Sequence, residues 1–187
     1  MHTPNRNRKR RVSAFVACAV LLSLTACGGG GGSDKTPNPP AESTPAQKLA
    51  ALEASGSLPK LDRSPSLAGT DSNGNGVRDD VEGFIAAKFS AAGQRAAAVQ
   101  LASALQLIVL VNKQDARALQ AASRRSSRAI NCIFSRFNGA DAAAPGAVVD
   151  DLIAVTANTK ARLQAYLEFS AALDGAVLSI PEGDTCE

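Results

Sequence analysis

Residues 71 to 82 read Asp-Ser-Asn-Gly-Asn-Gly-Val-Arg-Asp-Asp-Val-Glu. Acids and amides fall at alternate positions, glycine stands sixth and glutamate twelfth. A hard divalent cation such as calcium takes six to eight oxygen ligands, and this spacing can supply them. Asp71, Asn73 and Asn75 offer side-chain oxygens, Val77 its carbonyl, Asp79 a direct or water-mediated ligand, and Glu82 two oxygens. Gly76 permits the sharp turn among them. Other site chemistry is scarce: the chain has one histidine, His2, and no tryptophan. Asp79-Asp80 and Asp150-Asp151 do not make acid–base pairs, because adjacent helical residues point about 100° apart.

The twelve residues resemble the calcium loop of the EF-hand. Two departures stand out. Upstream, Ser64-Pro65-Ser66-Leu67-Ala68-Gly69 lacks the amphipathic entering helix, and Arg78 replaces the apolar eighth residue that pairs with a second loop. The sequence contains no second loop. The resemblance is therefore to the solitary calcium loops of secreted bacterial modules, and it implies one fold-ordering calcium ion.

At the other end of the chain, Arg6, Arg8, Lys9, Arg10 and Arg11 precede an apolar stretch, Val12 to Leu24, in the layout of a secretory signal. The stretch ends in Leu24-Thr25-Ala26-Cys27, which resembles the bacterial lipobox. That resemblance implies cleavage before Cys27, acylation of its thiol, and a membrane-bound lipoprotein. Gly28, rather than an inner-membrane retention aspartate, favours the outer membrane. Cleavage removes five of the 20 Lys and Arg and none of the 17 Asp and Glu, leaving 15 against 17 and a net charge of −2. The basic balance of the whole chain thus belongs to its first segment, and a nucleic-acid partner loses its electrostatic basis. His2 leaves as well, which excludes histidine-dependent zinc and nucleophile chemistry from the mature chain.

With Cys27 acylated and Cys18 removed, Cys132 and Cys186 are the remaining thiols. In an oxidising compartment they are expected to form a disulfide. On a helix spanning Leu119 to Phe137, Cys132 falls beside the apolar stripe, so the bond is expected to clamp the C-terminal tail across the outside of that helix. Arg117, Arg124, Arg125, Arg128 and Arg136 lie on the same helix. They read as a solvated face pairing with acids; the alternative is an anionic envelope ligand or an acidic envelope protein.

The elements that must position these groups read as all-α. Gly28 to Pro45 is glycine- and proline-rich and predicts a disordered tether after Cys27. From Ala46 the apolar spacing is helical. Gln47 to Ala54 predicts a short helix; Val81, Phe84, Ile85, Phe89 and Ala92 a second, capped at Gly93; Ala98, Leu101, Leu105 and Ile108 a third. Leu119, Ile130, Ile133, Phe134 and Phe137 mark a fourth. Leu152, Val155, Leu163, Tyr166, Leu167 and Leu173 mark one long last helix, with the Tyr166 hydroxyl at the rim of the core. The expected architecture is a bundle of three long and one or two short helices over residues 46–187, behind a signal peptide at 1–26 and a linker at 27–45. The functional expectation is an exported lipoprotein with a calcium-stabilised domain in a binding or structural role, and not an enzyme. The alternative is an envelope hydrolase using carboxylate or Ser-Lys chemistry.

Overall fold

The structure is a computed structural model, and it describes residues 43–139, 142–177, 179 and 181–187. The expected signal peptide at 1–26, Cys27 and the expected tether up to residue 42 lie outside the described residues. The described part is all-α and contains six helices: α1 (Pro45–Ala54), α2 (Asp79–Lys88), α3 (Ala92–Leu110), α4 (Ala116–Arg136), α5 (Pro145–Thr156) and α6 (Lys160–Ala172). None of them is long and apolar enough to cross a membrane.

The central helix is α3, against which α2, α4, α5 and α6 all pack. Its alanines explain why. Ala97, Ala98, Ala102 and Ala104 are buried along with Leu101, Leu105, Ile108 and Val109, so small side chains let neighbours approach from several sides. Lys113 caps its end by donating to the Ile108 and Val109 carbonyls at 3.1 and 2.9 Å. Asp115 then caps the start of α4 by accepting from the Arg117 and Ala118 amides. α1 has a complete capping box, in which Thr44 Oγ1 accepts from the Gln47 amide and Gln47 Oε1 from the Thr44 amide, yet it buries no residue. Pro45, expected in the linker, is its first residue.

Several sequence expectations change. α2 stops at Lys88, because Phe89 turns extended (φ −117°) and packs edge-on against Phe137, with ring centroids 5.1 Å apart. Gly93 therefore lies inside the first turn of α3 and caps nothing. Only α3 and α4, of 19 and 21 residues, are long. The expected single last helix is broken at Ala157-Asn158-Thr159, where Thr159 caps α6 and the Asn158 side chain is drawn into the polar network described below. On α6 the core side is Arg162, Ala165 and Phe169, while Leu163 and Leu167 are exposed. On α4, Phe134 is exposed. Cys132 belongs to the core side with Leu119, Ala122, Ala129 and Ile133, so it is not on the outside of the helix.

Candidate metal centre

The loop closes at its base through the Asp79 amide, which donates to the Thr70 carbonyl at 2.9 Å. Within it the first acid organises the turn: Asp71 Oδ1 accepts from the Gly74 and Asn75 amides and Oδ2 from the Gly76 amide, at 2.8 to 3.2 Å. Asn73 Oδ1 accepts from the Asn75 amide, and Asn75 Oδ1 from the Val77 amide. Each amide oxygen thereby uses one lone pair on the backbone and keeps a second. Gly74 and Gly76 have φ of +70° and +81°, a region costly to any residue with a β-carbon.

Across the turn, Glu82 accepts from the Asn73 side-chain amide at 3.2 Å to both oxygens and from that of Asn75 at 2.5 Å. Asp71, Asn73, Asn75 and Glu82 are thus linked round one turn. Asp79 points elsewhere: its carboxylate takes the Ser72 hydroxyl at 2.6 Å and the Ser72 amide at 2.9 Å, and these donors hold it below the usual carboxylate range. Val77 sends its side chain into the core next to α2, while its carbonyl, among the described residues, accepts none of the bonds that close the loop. Among the described residues no three Asp, Glu, Cys or His side chains form a ready-made metal cluster. The donor set here is mixed carboxylate, amide and carbonyl oxygen, which suits a hard cation and not zinc or copper. On that chemistry the residues fit calcium.

The face of the loop turned away from these oxygens holds residues that the sequence did not single out. Arg78 is buried. It grips Asp80 with two parallel bonds, Nε to Oδ1 at 2.9 Å and Nη2 to Oδ2 at 2.7 Å, and donates to the Thr156 and Val155 carbonyls at the C-terminus of α5. A positive charge there also meets the negative end of that helix. Arg162, equally buried, donates to the Asp62 carboxylate, to the carbonyls of Asp62, Ser66 and Leu67, and to Asn158 Oδ1. Asn158 joins the two arginines, accepting from both and donating to the Asp62 carbonyl. Asp80 closes the ring by accepting from the Asp62 amide at 2.8 Å.

Two cations and two anions balance inside this network. Donors from Ser64 and the Arg162 charge hold Asp62 below its ordinary value. Burial pushes Asp80 up, but the Arg78 grip and the Asp62 amide outweigh it, and Asp80 also ends below. Burial and the neighbouring Arg78 charge lower Arg162. Gly69, at φ +66°, lies so close that a β-carbon there would meet Arg78 Cδ at 2.5 Å and the Asp62 carboxylate at 2.9 Å. From above, Gln106 on α3 donates to the Ala68 carbonyl. The irregular segment 59–70 is therefore held by arginine side chains where an EF-hand would have an entering helix. One sequence signal pointed to it: Asn158, Arg162, Ala165 and Phe169 share helical spacing, with arginine at a core register.

Cys132 and Cys186 are joined by a disulfide, with Cα atoms 4.9 Å apart. The bond seats the tail against α3 and α4, where Gln100 Nε2 donates to the Thr185 carbonyl, the Glu187 amide donates to Gln100 Oε1, and Thr185 Oγ1 donates to the Arg128 carbonyl. Of the α4 arginines, Arg136 pairs with Asp184, Arg128 with Glu187, and Arg125 donates to Ser103. No family model, curated protein or solved structure matches the chain.

Proposed function

We propose that the chain is an exported bacterial lipoprotein, acylated at Cys27 and held at the outer membrane, whose helical domain binds one calcium ion through Asp71, Asn73, Asn75, Val77 and Glu82, with Asp79, here turned to Ser72, as a direct or water-mediated ligand, and serves a binding or structural role in the envelope. The observation that carries the calcium reading is the convergence of Asp71, Asn73, Asn75 and Glu82 round one turn, with two amide oxygens each retaining a lone pair. Calcium bound there would draw Glu82 and Asp71 together and replace the amide N–H groups that now face Glu82. The role is structural, since one loop has no second loop with which to bind cooperatively.

Two measurements test the proposal. Wild-type protein should incorporate labelled palmitate and fractionate with membranes, and Cys27→Ser should do neither; wild-type protein that is free of lipid and leaves the membrane without detergent overturns the anchor. Calorimetric titration with calcium should give one site with a dissociation constant of roughly 10⁻⁴ to 10⁻³ M, the range of extracellular calcium modules. A flat isotherm overturns the metal site.

A further inference from the structure

The last residues of the chain are held to the helices by more than their sulfur bond. Thr185, 2% exposed, donates through Oγ1 to the Arg128 carbonyl at 2.6 Å, and its own carbonyl accepts from Gln100 Nε2 at 2.9 Å. Asn131 Nδ2 donates to the Gly183 carbonyl at 3.0 Å, and the Glu187 amide donates to Gln100 Oε1 at 3.2 Å. None of these bonds involves sulfur, so they keep residues 183–187 beside α4 when both cysteines are reduced.

The two sulfurs have different surroundings. Cys132 is 1% exposed and belongs to the apolar core. Cys186 is half-buried; its sulfur accepts from Arg136 Nε at 3.2 Å and lies 3.6 Å from Ser135 Oγ. A guanidinium beside a thiol favours the thiolate, the form that attacks a disulfide, whereas an apolar enclosure disfavours it. The acids of the tail do not reverse this preference: Asp184 faces Arg136, Glu187 faces Arg128, and α3 meets the tail with the uncharged Gln100.

We infer that Cys186 is an exchange site for an external disulfide, and that Cys132 completes the reaction from within the fold. The Cys186 thiolate attacks one sulfur of the external disulfide, forming a mixed disulfide and releasing the first external thiolate. Cys132, whose Cα lies 4.9 Å from that of Cys186 in the product, then gives up its proton, attacks the Cys186 sulfur and expels the second external thiolate. The two cysteines are oxidised to one disulfide, and the external disulfide is reduced to two thiols. The reverse reaction is slow. An incoming thiolate reaches Cys186 and must expel Cys132 as a buried thiolate, a poor leaving group.

The test starts from the reduced full chain, pulse-alkylated with iodoacetamide and mapped by peptide mass. In native buffer Cys186 should react at least about tenfold faster than Cys132, and in urea the two should react alike. Arg136→Gln should slow Cys186 and raise the pH at which its alkylation reaches half the limiting rate, while Arg136→Lys should restore most of the difference. Cys132→Ala, which cannot resolve the mixed disulfide, should accumulate glutathione on Cys186 when treated with glutathione disulfide. Equal rates in native buffer, faster reaction at Cys132, an unchanged pH profile in Arg136→Gln, or no glutathione adduct on Cys186 each overturns the proposal.

Discussion

On one side of the 71–82 loop, oxygen-bearing side chains stand at the surface and bond mainly to the loop's own amides; on the other, Arg78 and Arg162 are wholly buried and bond to residues 62 to 67 and 155 to 158. The first side is local, and every bond in it spans nine residues or fewer. The second ties together stretches of chain up to about 100 residues apart. The loop's shape is therefore set twice, once by its own turn chemistry and once by its attachment to the fold. In a paired EF-hand the eighth residue meets a second loop; here its side chain anchors the loop to the end of α5. A mutation on the buried side should damage the fold whether or not metal is present, and one on the exposed side that leaves the turn-forming bonds of Asp71 intact, such as Glu82→Gln, should matter only when calcium is present.

The largest effect is expected from Arg162→Met. It removes a donor from the Asp62 carboxylate and from four further acceptors, some of which keep a second donor, and takes one partner from a largely buried ion pair, a change that costs up to roughly 3–5 kcal/mol. Urea unfolding should show that loss equally with calcium and with chelator; a loss seen only with calcium would break the comparison. Reducing the Cys132–Cys186 disulfide, which closes a loop of 54 residues, should cost about 4 kcal/mol in the chain-entropy model. It should leave the calcium-dependent increment unchanged, since among the described residues the tail bonds to α3 and α4. Gly69→Ala should cost roughly 1–3 kcal/mol through its left-handed backbone, more if Arg78 must move, again regardless of metal.

Acid separates the two sides further. Asp62 and Asp80 have lowered values in the folded chain, so their contribution is complete above the unfolded value of about 3.9 and is lost as pH falls through the lower folded values. Urea unfolding in chelator should show stability dropping below about pH 4, and the drop should shrink in Arg78→Met, which removes the charge that holds Asp80 down. An equal drop in both proteins would contradict the pairing.

What was legible in the sequence depended on whether its cause was local. The loop's turn geometry follows from residues within nine positions of one another, and the all-α class follows from periodicity. The buried arginines were not legible, because an arginine between Val77 and Asp79 reads as solvated until α5 and α6 are known to fold over it. The break at Asn158 had the same origin: its apolar flanks continue a helix, and only the pull of Arg78, Arg162 and the Asp62 carbonyl explains the interruption. Cys132 was misplaced because Phe134 was counted into the stripe; without it, the alanines at 122 and 129 turn the core side toward the cysteine.

The most direct test is thermal unfolding of wild type and Glu82→Gln, each in millimolar calcium and in chelator. Calcium at about tenfold above its dissociation constant should stabilise wild type by roughly 1–2 kcal/mol. Glu82→Gln removes the charged bidentate ligand with little change in helix propensity, so its two curves should coincide with each other and lie close to wild type in chelator. Four identical curves would show that residues 71–82 form a turn held by arginines and bind no metal.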